Sequence, residues 1–256
     1  MIDLTGVLSS IEAAFGPFLR ASAMFYAAPV FSARALPTPL RVLLAASVSL
    51  LVVPFLPEVA AFEPLSLEGL LRMAQEVLLG AMMGFAIAMA FSVLTQAGEN
   101  IALGMGLGFA SINDPNNGLS VPIVSQFYGI VGTLLFLVLG GHGLVIEALQ
   151  ASFQRLPVGF DGLEPKAYEQ LVWWGAEMYG FAVLLALPAV ASLLLVNLAF
   201  GVITRTAPQL NLFAIGFPIM ILVGLGVIVL TLPALLDDFT GVLAAAFNLI
   251  DGLLGS

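Results

Sequence analysis

The chain has 256 residues, of which 61% are hydrophobic and 9% are charged, with a mean hydropathy of +1.10. Soluble domains contain about 45–50% apolar and about 25% charged residues, so this composition excludes a water-soluble enzyme, and it is also too apolar for an intrinsically disordered chain. Sixteen acidic against seven basic residues give a net charge of −9, which disfavours nucleic acid as a partner. There is no cysteine and only one histidine, His142, so no metal site and no cofactor are expected.

Runs without charged residues mark the hydrophobic segments, because an ionised side chain in the middle of a bilayer is costly. About six such segments are expected, within a single membrane domain of residues 1–256. The predicted fold is an all-α, multi-pass integral membrane protein. Its segments are residues 11–30, 42–57, 77–98, 124–146, 178–204 and 206–236, followed by a short segment at 239–250.

Prolines and glycines interrupt nearly every one of these segments. An interior proline removes a backbone hydrogen bond and bends or breaks a helix. Such breaks are costly against lipid and are tolerated where protein or a pore surrounds them. The pattern predicts broken helical hairpins that pack inside a larger assembly. The prolines concerned are Pro17, Pro29, Pro54, Pro57, Pro188, Pro208, Pro218 and Pro233.

The basic residues do not orient the chain in a membrane. With six alternating spans, three basic residues fall on each side, so the excess of positive charge that usually marks the cytoplasmic side is missing. Either the signal is weak because there are few charges, or some hydrophobic segments are buried against other proteins. The two groups are Arg34, Arg41 and Arg205 on one side, and Arg72, Arg155 and Lys166 on the other.

Residues 104–118 alternate glycine with apolar residues and end in Asn-Asp-Pro-Asn-Asn-Gly. The spacing matches neither a dinucleotide fingerprint nor a phosphate-binding loop. It predicts a non-helical strap with apolar tips at Met105, Phe109 and Ile112. The strap is either an ordinary loop packed on a neighbour or a constriction, since apolar collars gate pores by excluding water. The candidate gate residues are Met105, Gly106, Gly108, Phe109, Ile112, Asn113, Asp114 and Pro115.

A second polar segment, residues 205–218, lies between two of the longest charge-free runs. Arg205 needs water or a carboxylate at that position. The segment is either a surface turn from which Arg205 reaches water, or a polar joint inside an assembly, with Glu76, Glu99 or Asp114 as the partner of the arginine. Its candidate residues are Arg205, Pro208, Gln209, Asn211, Gly216 and Pro218.

Glu76 and Glu99 flank the third hydrophobic segment, either as helix-end charges or as proton carriers. The second interpretation gives the alternative function, a stand-alone proton-coupled transporter of small solutes. Gly80 and Gly84 have the spacing that lets two helices approach closely. The pair Trp173-Trp174 is typical of an interfacial anchor. No hydrolase motif is present, and we expect no enzymatic activity.

These fragments, in this order, resemble the FliR family of flagellar type III export-gate membrane proteins, whose counterparts serve injectisomes. The resemblance covers essentially the whole chain and is most specific from Asn197 to Pro218. The other matching fragments are Arg20 with Ala28-Pro29-Val30-Phe31, Gln75-Glu76 to Gly80 with Gly84, Gln96 to Glu99, Met105 to Pro115, and Ser152-Phe153 with Leu156 to Gly159.

The resemblance implies a core subunit of the export gate in the bacterial inner membrane, within the flagellar basal body. Proteins of this family assemble with FliP and FliQ into a helical ring of hairpins and work with FlhB and FlhA. The ring would form the entrance channel for unfolded flagellar subunits in transit. The matching strap would help close this channel through Met105, Phe109 and Ile112.

Overall fold

A computed structural model describes residues 4–32, 36–55, 66–108, 122–159, 162–206 and 212–255. Within these ranges the chain forms helices and connecting turns, with no strand, which confirms the prediction of an all-α fold. The helices are α1 (Leu4–Ala27), α2 (Thr38–Val52, followed by a 3-10 turn at Val53–Phe55), α3 (Leu67–Gly104), α4 (Ile123–Val138), α5 (Gly141–Arg155), α6 (Pro165–Thr206) and α7 (Leu212–Leu253).

Several helices extend beyond the charge-free runs that predicted them. Helix α3 begins at Leu67 rather than near residue 77, and it includes charged residues that find partners. Arg72 Nη2 donates to Glu68 Oε1 at 2.6 Å, one helical turn away. Pairs at this spacing support a helix instead of ending it, so the absence of charge marks the apolar core of a helix and not its boundaries.

Residues 212–236 of the predicted segment 206–236, and the whole of the predicted segment 239–250, belong to one helix, α7. Asp237 and Asp238, which separate the two runs, are exposed, so their charges do not interrupt the helix. The Thr240 hydroxyl donates to the Asp237 carbonyl at 2.7 Å. The helix also continues through Pro218 and Pro233.

The predicted segment 124–146 consists of two helices. Helix α4 ends at Val138, and Gly140 adopts a φ of 73° before α5 begins. Helices α4 and α5 are bent by 68° at this break. Because a left-handed φ is disfavoured for residues with a Cβ, glycine permits this turn.

Three helices among the described residues are long and apolar enough to cross a membrane: Leu67–Gly104, Pro165–Thr206 and Ile215–Leu253. The bent pair α4 and α5 raises the number to four if it crosses as one span. The expectation of six spans is therefore too high for the described part of the chain. Helix α2 has only 15 residues, and about 20 are needed to cross the hydrocarbon.

The chain separates into two compact units. The first unit comprises Met1–Met89, Phe136–Gly175 and Ala244–Ser256, and the second comprises Ala90–Leu135 and Ala176–Leu243. The single membrane domain expected from the sequence stays a prediction.

In the first unit, α1 lies directly against the N-terminal part of α3. A Cβ placed on Gly80 would collide with the Arg20 carbonyl, and one on Gly84 would lie 2.5 Å from the Met24 carbonyl oxygen. Real Cβ atoms do not approach a carbonyl so closely, so both positions require glycine. The two glycines lie one turn apart on one face of α3, as the Gly-x-x-x-Gly motif requires.

In the second unit, the C-terminal part of α3 contacts α4 and α7. A Cβ on Gly98 would lie 2.7 Å from the Ser125 Cα, which shows how closely the α3 and α4 backbones approach. The rings of Phe91 and Phe239 meet edge to face with centroids 5.6 Å apart. This arrangement is favourable beyond the area it buries, and it fixes α7 on α3.

Candidate functional site

The strongest polar cluster in the described residues is centred on Arg20 and Glu76, both in the first unit. Arg20 Nε donates to Glu76 Oε2 at 2.7 Å, and Arg20 Nη2 donates to Glu76 Oε1 at 3.0 Å. This two-pronged geometry matches the planar guanidinium to the carboxylate. The side chains are 0% and 2% exposed, so the ion pair is almost fully removed from solvent.

Helix α5 completes the surroundings of the arginine. Arg20 Nη1 donates to the Ser152 hydroxyl oxygen at 3.1 Å, and that hydroxyl donates to the Leu149 carbonyl at 2.6 Å. The Phe153 ring lies under the guanidinium, with Arg20 Cζ 4.3 Å from the ring centroid. Hydrogen bonds in the plane of the guanidinium and an aromatic face below it together offset the loss of water around the charge.

The turn that follows α5 also reaches this cluster. The Gly159 amide donates to Glu76 Oε1 at 3.2 Å, and Gly159 adopts a φ of +87°. A Cβ at Gly159 would lie 3.3 Å from Arg72 Nη1. Glycine is therefore favoured at this position both by its backbone angle and by the space available.

The cluster is built from residues that lie far apart in the sequence. The structure brings four separate fragments of the family resemblance into one site: Arg20, Glu76, Ser152-Phe153 and the turn 156–159. The sequence alone does not pair Arg20 with Glu76. The available signal is that an arginine within an apolar segment needs an anion, which holds for Arg20 as well as for Arg205.

The beginning of the predicted strap forms the C-terminal cap of α3. Gly106, with a φ of 80°, donates its amide to the Leu103 carbonyl at 3.0 Å, and Leu107 donates to the Ala102 carbonyl at 3.0 Å. These two bonds around a left-handed glycine define a Schellman motif, a common way to end a helix. Helix α3 therefore stops at the point where the glycine-rich stretch begins.

Met105, one of the expected apolar tips, is buried in the second unit. Its side chain is 1% exposed and fills the space beside Gly224 of α7, where a Cβ would lie 2.6 Å from the Met105 sulfur. The Phe217 ring lies 3.5 Å from a Cβ placed on Gly106. Gly108 is half-buried. The root of the strap is thus attached to α7, while Phe109, Ile112, Asn113, Asp114 and Pro115 lie outside the described residues.

The remaining candidate residues that the structure describes lie outside both clusters. Glu99 is exposed on α3, and Arg205 is exposed at the end of α6. On α7, Gly216 is buried and Pro218 is exposed, while Pro29 is half-buried after α1. Glu76, one of the carboxylates considered for Arg205, is bound by Arg20. Pro208, Gln209 and Asn211, as well as Asp114, lie outside the described residues.

The aromatic pair on α6 is divided between two environments. Trp173 is 64% exposed, whereas Trp174 is 3% exposed and its Nε1 donates to the Ala86 carbonyl at 3.2 Å. Only Trp173 has the exposure that an interfacial anchor requires. His142 is exposed, and the described residues contain no group of three or more histidine, aspartate or glutamate side chains arranged to hold a metal ion.

Comparison with known proteins identifies the family. A family model described as "Bacterial export proteins, family 1" matches residues 11–246. The chain is 35% identical to the flagellar biosynthetic protein FliR of Pectobacterium carotovorum over 94% of its own length and 92% of that protein. The chain belongs to the FliR family.

Other members of the FliR family show similar agreement. The FliR protein of Escherichia coli K12 is 34% identical, with 96% of this chain and 94% of that protein covered. The FliR protein of Bacillus subtilis 168 is 31% identical, with 80% of each chain covered. These relatives are named as flagellar biosynthetic proteins and not as enzymes. The family match and the long apolar helices together identify this chain as a flagellar export protein that associates with membranes.

Proposed function

We propose that this chain is a core, non-enzymatic subunit of the flagellar type III export gate, which forms an entrance channel for unfolded flagellar subunits together with homologues of FliP and FliQ. Membership of the FliR family is the observation that carries this proposal. The chain would lie in the bacterial inner membrane, in the flagellar basal body, in contact with lipid and with homologues of FlhB and FlhA.

The distribution of apolar surface shows that two long helices need a cover that the chain itself does not supply. Only 22% of the most apolar stretch of α6, and 22% of that of α7, is buried inside the chain, compared with 67% for α3. Lipid or neighbouring proteins must cover the rest, because contact between this apolar surface and water is unfavourable.

The alternative, a stand-alone proton-coupled transporter, has less support. Both oxygens of Glu76 are engaged by Arg20, and Oε1 also accepts the Gly159 amide. Such bonds, together with the burial of the side chain, are typical of a residue that holds structure together.

Co-purification tests the assembly. A C-terminal tag on this chain, extraction in mild detergent from the native bacterium, and native mass measurement should give one large particle that contains FliP and FliQ homologues. A stable monomer or homodimer that takes up solute after reconstitution alone would instead establish the transporter.

A second experiment tests the gate. Replacing Phe109 and Ile112 together by glycine should increase ion leak through the assembled complex, because removal of apolar side chains lets water and ions enter a constriction. The matched control is Leu70→Gly, at an exposed apolar residue in the first turn of α3, at the opposite end of that helix from the strap. Unchanged conductance in a complex of normal composition would contradict the role of the strap as a seal.

A further inference from the structure

We infer that Arg20 and Glu76 are positioning residues that hold the turn after α5, residues 156–159, against α1 and α3. The pair would set the place of a chain segment and would not itself touch an exported protein. Only the motility and co-purification measurements below depend on the proposed function, because the position of the turn can be measured independently of it.

One charge of the pair contacts the turn, and the other contacts α5, the helix before it. Glu76 accepts the backbone amide of Gly159, while Arg20 binds Ser152 and stacks on Phe153 in the last turn of α5. The ion pair therefore links α1 and α3 through two residues that are 56 positions apart in sequence, and Arg20 also holds α5.

The side chains of the turn are not fully buried. Pro157 is exposed, Leu156 and Val158 are only partly buried, and Gly159 has no side chain. Val158 contacts α1, since its side chain fills the space where Gly16 lacks a Cβ. The hydrogen bond from Gly159 to Glu76 adds to this apolar contact a directed one, which specifies where the turn lies.

The geometry of the pair is more specific than apolar packing would be. A guanidinium bound through two nitrogens fixes the carboxylate in direction as well as distance. Glu76 can therefore present Oε1 to the Gly159 amide in one orientation only. Apolar residues of similar size would fill the same volume without a directed acceptor, and the amide would lose its partner.

An engineered disulfide can report the position of the turn. The chain has no cysteine, so a pair of new thiols can react only with each other within one molecule. A Cβ built on Gly16 lies 3.5 Å from the Val158 Cβ, and disulfides join Cβ atoms about 3.5–4.5 Å apart. Gly16→Cys with Val158→Cys should therefore form a disulfide readily when the turn is docked.

The test compares this disulfide in backgrounds that differ in the ion pair. Glu76→Gln removes the charge while keeping the size, and Arg20→Met with Glu76→Leu replaces both charges by apolar side chains. Most of the disulfide should be lost in both backgrounds. Glu99→Gln changes an exposed carboxylate on the same helix and should leave the disulfide yield unchanged. Arg20→Lys keeps the positive charge but not the two-pronged geometry, so it should retain only part of the wild-type disulfide yield.

The double apolar variant makes the result decisive. Because it leaves no unpaired buried charge, we expect it to accumulate normally even if Glu76→Gln does not. Normal accumulation with little disulfide and reduced motility would establish the positioning role. A full disulfide yield in this variant would overturn it, as would a failure of the wild-type background to cross-link. Loss of co-purifying FliP and FliQ homologues with an intact disulfide would count against the proposed function alone.

Discussion

Arg20 carries a charge at a position with no access to solvent, and this determines how the first unit responds to mutation. Its guanidinium and the Glu76 carboxylate neutralise each other, with Ser152 and the Phe153 ring completing the surroundings. In a low-dielectric interior the attraction within such a pair largely offsets the cost of removing two ions from water. Removal of one partner leaves that cost without compensation.

Glu76→Gln should therefore destabilise the protein strongly. Breaking a buried pair by removing one partner costs about 3–5 kcal/mol, and the expected result is a large drop in the unfolding midpoint of the purified protein in detergent. The control, Glu99→Gln, changes an exposed carboxylate of the same helix and should have almost no effect. If the two variants lowered the unfolding midpoint equally, the buried ion pair would contribute no more to stability than a surface charge does.

Gly84 should also be sensitive to substitution, for a steric reason. Gly84→Ala places a methyl group 2.5 Å from the Met24 carbonyl oxygen and 2.7 Å from the Ala27 Cβ. Forcing atoms into a packed interface costs about 1–3 kcal/mol. The unfolding midpoint of Gly84→Ala should fall, whereas Gly143→Ala, at an exposed helical glycine with open space around it, should leave it unchanged or slightly higher.

At the level of whole elements, the end of α3 determines where the strap begins. The Schellman motif at Gly106 closes the helix, and Met105 attaches it to α7 through Gly224. The strap therefore leaves from a fixed point even though its tips belong to a segment rich in turn-forming residues. A seal built from this segment would depend on that attachment, since a strap with a mobile root could not hold apolar tips in one place.

Gly106→Ala should loosen this attachment without disturbing the rest of the second unit. A residue with a Cβ pays roughly 1–2 kcal/mol to adopt the left-handed conformation, and Gly106 has a φ of 80°. In the variant, hydrogen exchange at the backbone amides of positions 106 and 107 should be faster than in the wild type, because their hydrogen bonds to α3 are weakened. Gly180→Ala, at an exposed glycine of α6 with nothing within 4 Å, provides the control, and unchanged exchange in Gly106→Ala would show that the cap does not constrain the strap.

The helices could be predicted from the sequence far better than their ends or their partners. Apolar runs overlap every described helix, because burial in lipid or protein requires them, but one run covers both α4 and α5, and two runs fall within α7. Their ends depend on local details that composition does not carry, such as the ion pair between Glu68 and Arg72 or the left-handed Gly140. The contact between Arg20 and Glu76 depends on tertiary packing between helices distant in sequence, and no local pattern specifies it.

For the whole molecule, the decisive feature is the contrast between a buried helix and two exposed ones. Helix α3 hides most of its apolar stretch inside the chain, whereas α6 and α7 hide only 22% each. A protein that functioned alone in lipid could present both long helices to the bilayer. A subunit of a ring would instead bury much of the same surface against neighbouring proteins, and this difference can be measured.

Single cysteines on these helices should distinguish the two environments, since the chain has none of its own. Leu195 on α6 is 68% exposed and Leu230 on α7 is 80% exposed, while Leu193 of α6 is fully buried. A nitroxide spin label attached at Leu195→Cys or Leu230→Cys should collide often with molecular oxygen, which dissolves in lipid and detergent, in the isolated chain and much less often in the assembled complex. A label at Leu193→Cys should collide with oxygen rarely in both. Protection of the two exposed positions on assembly would mean that protein covers them. Unchanged access of oxygen would mean that these faces meet lipid in the complex, and that the ring is joined through other surfaces of the chain.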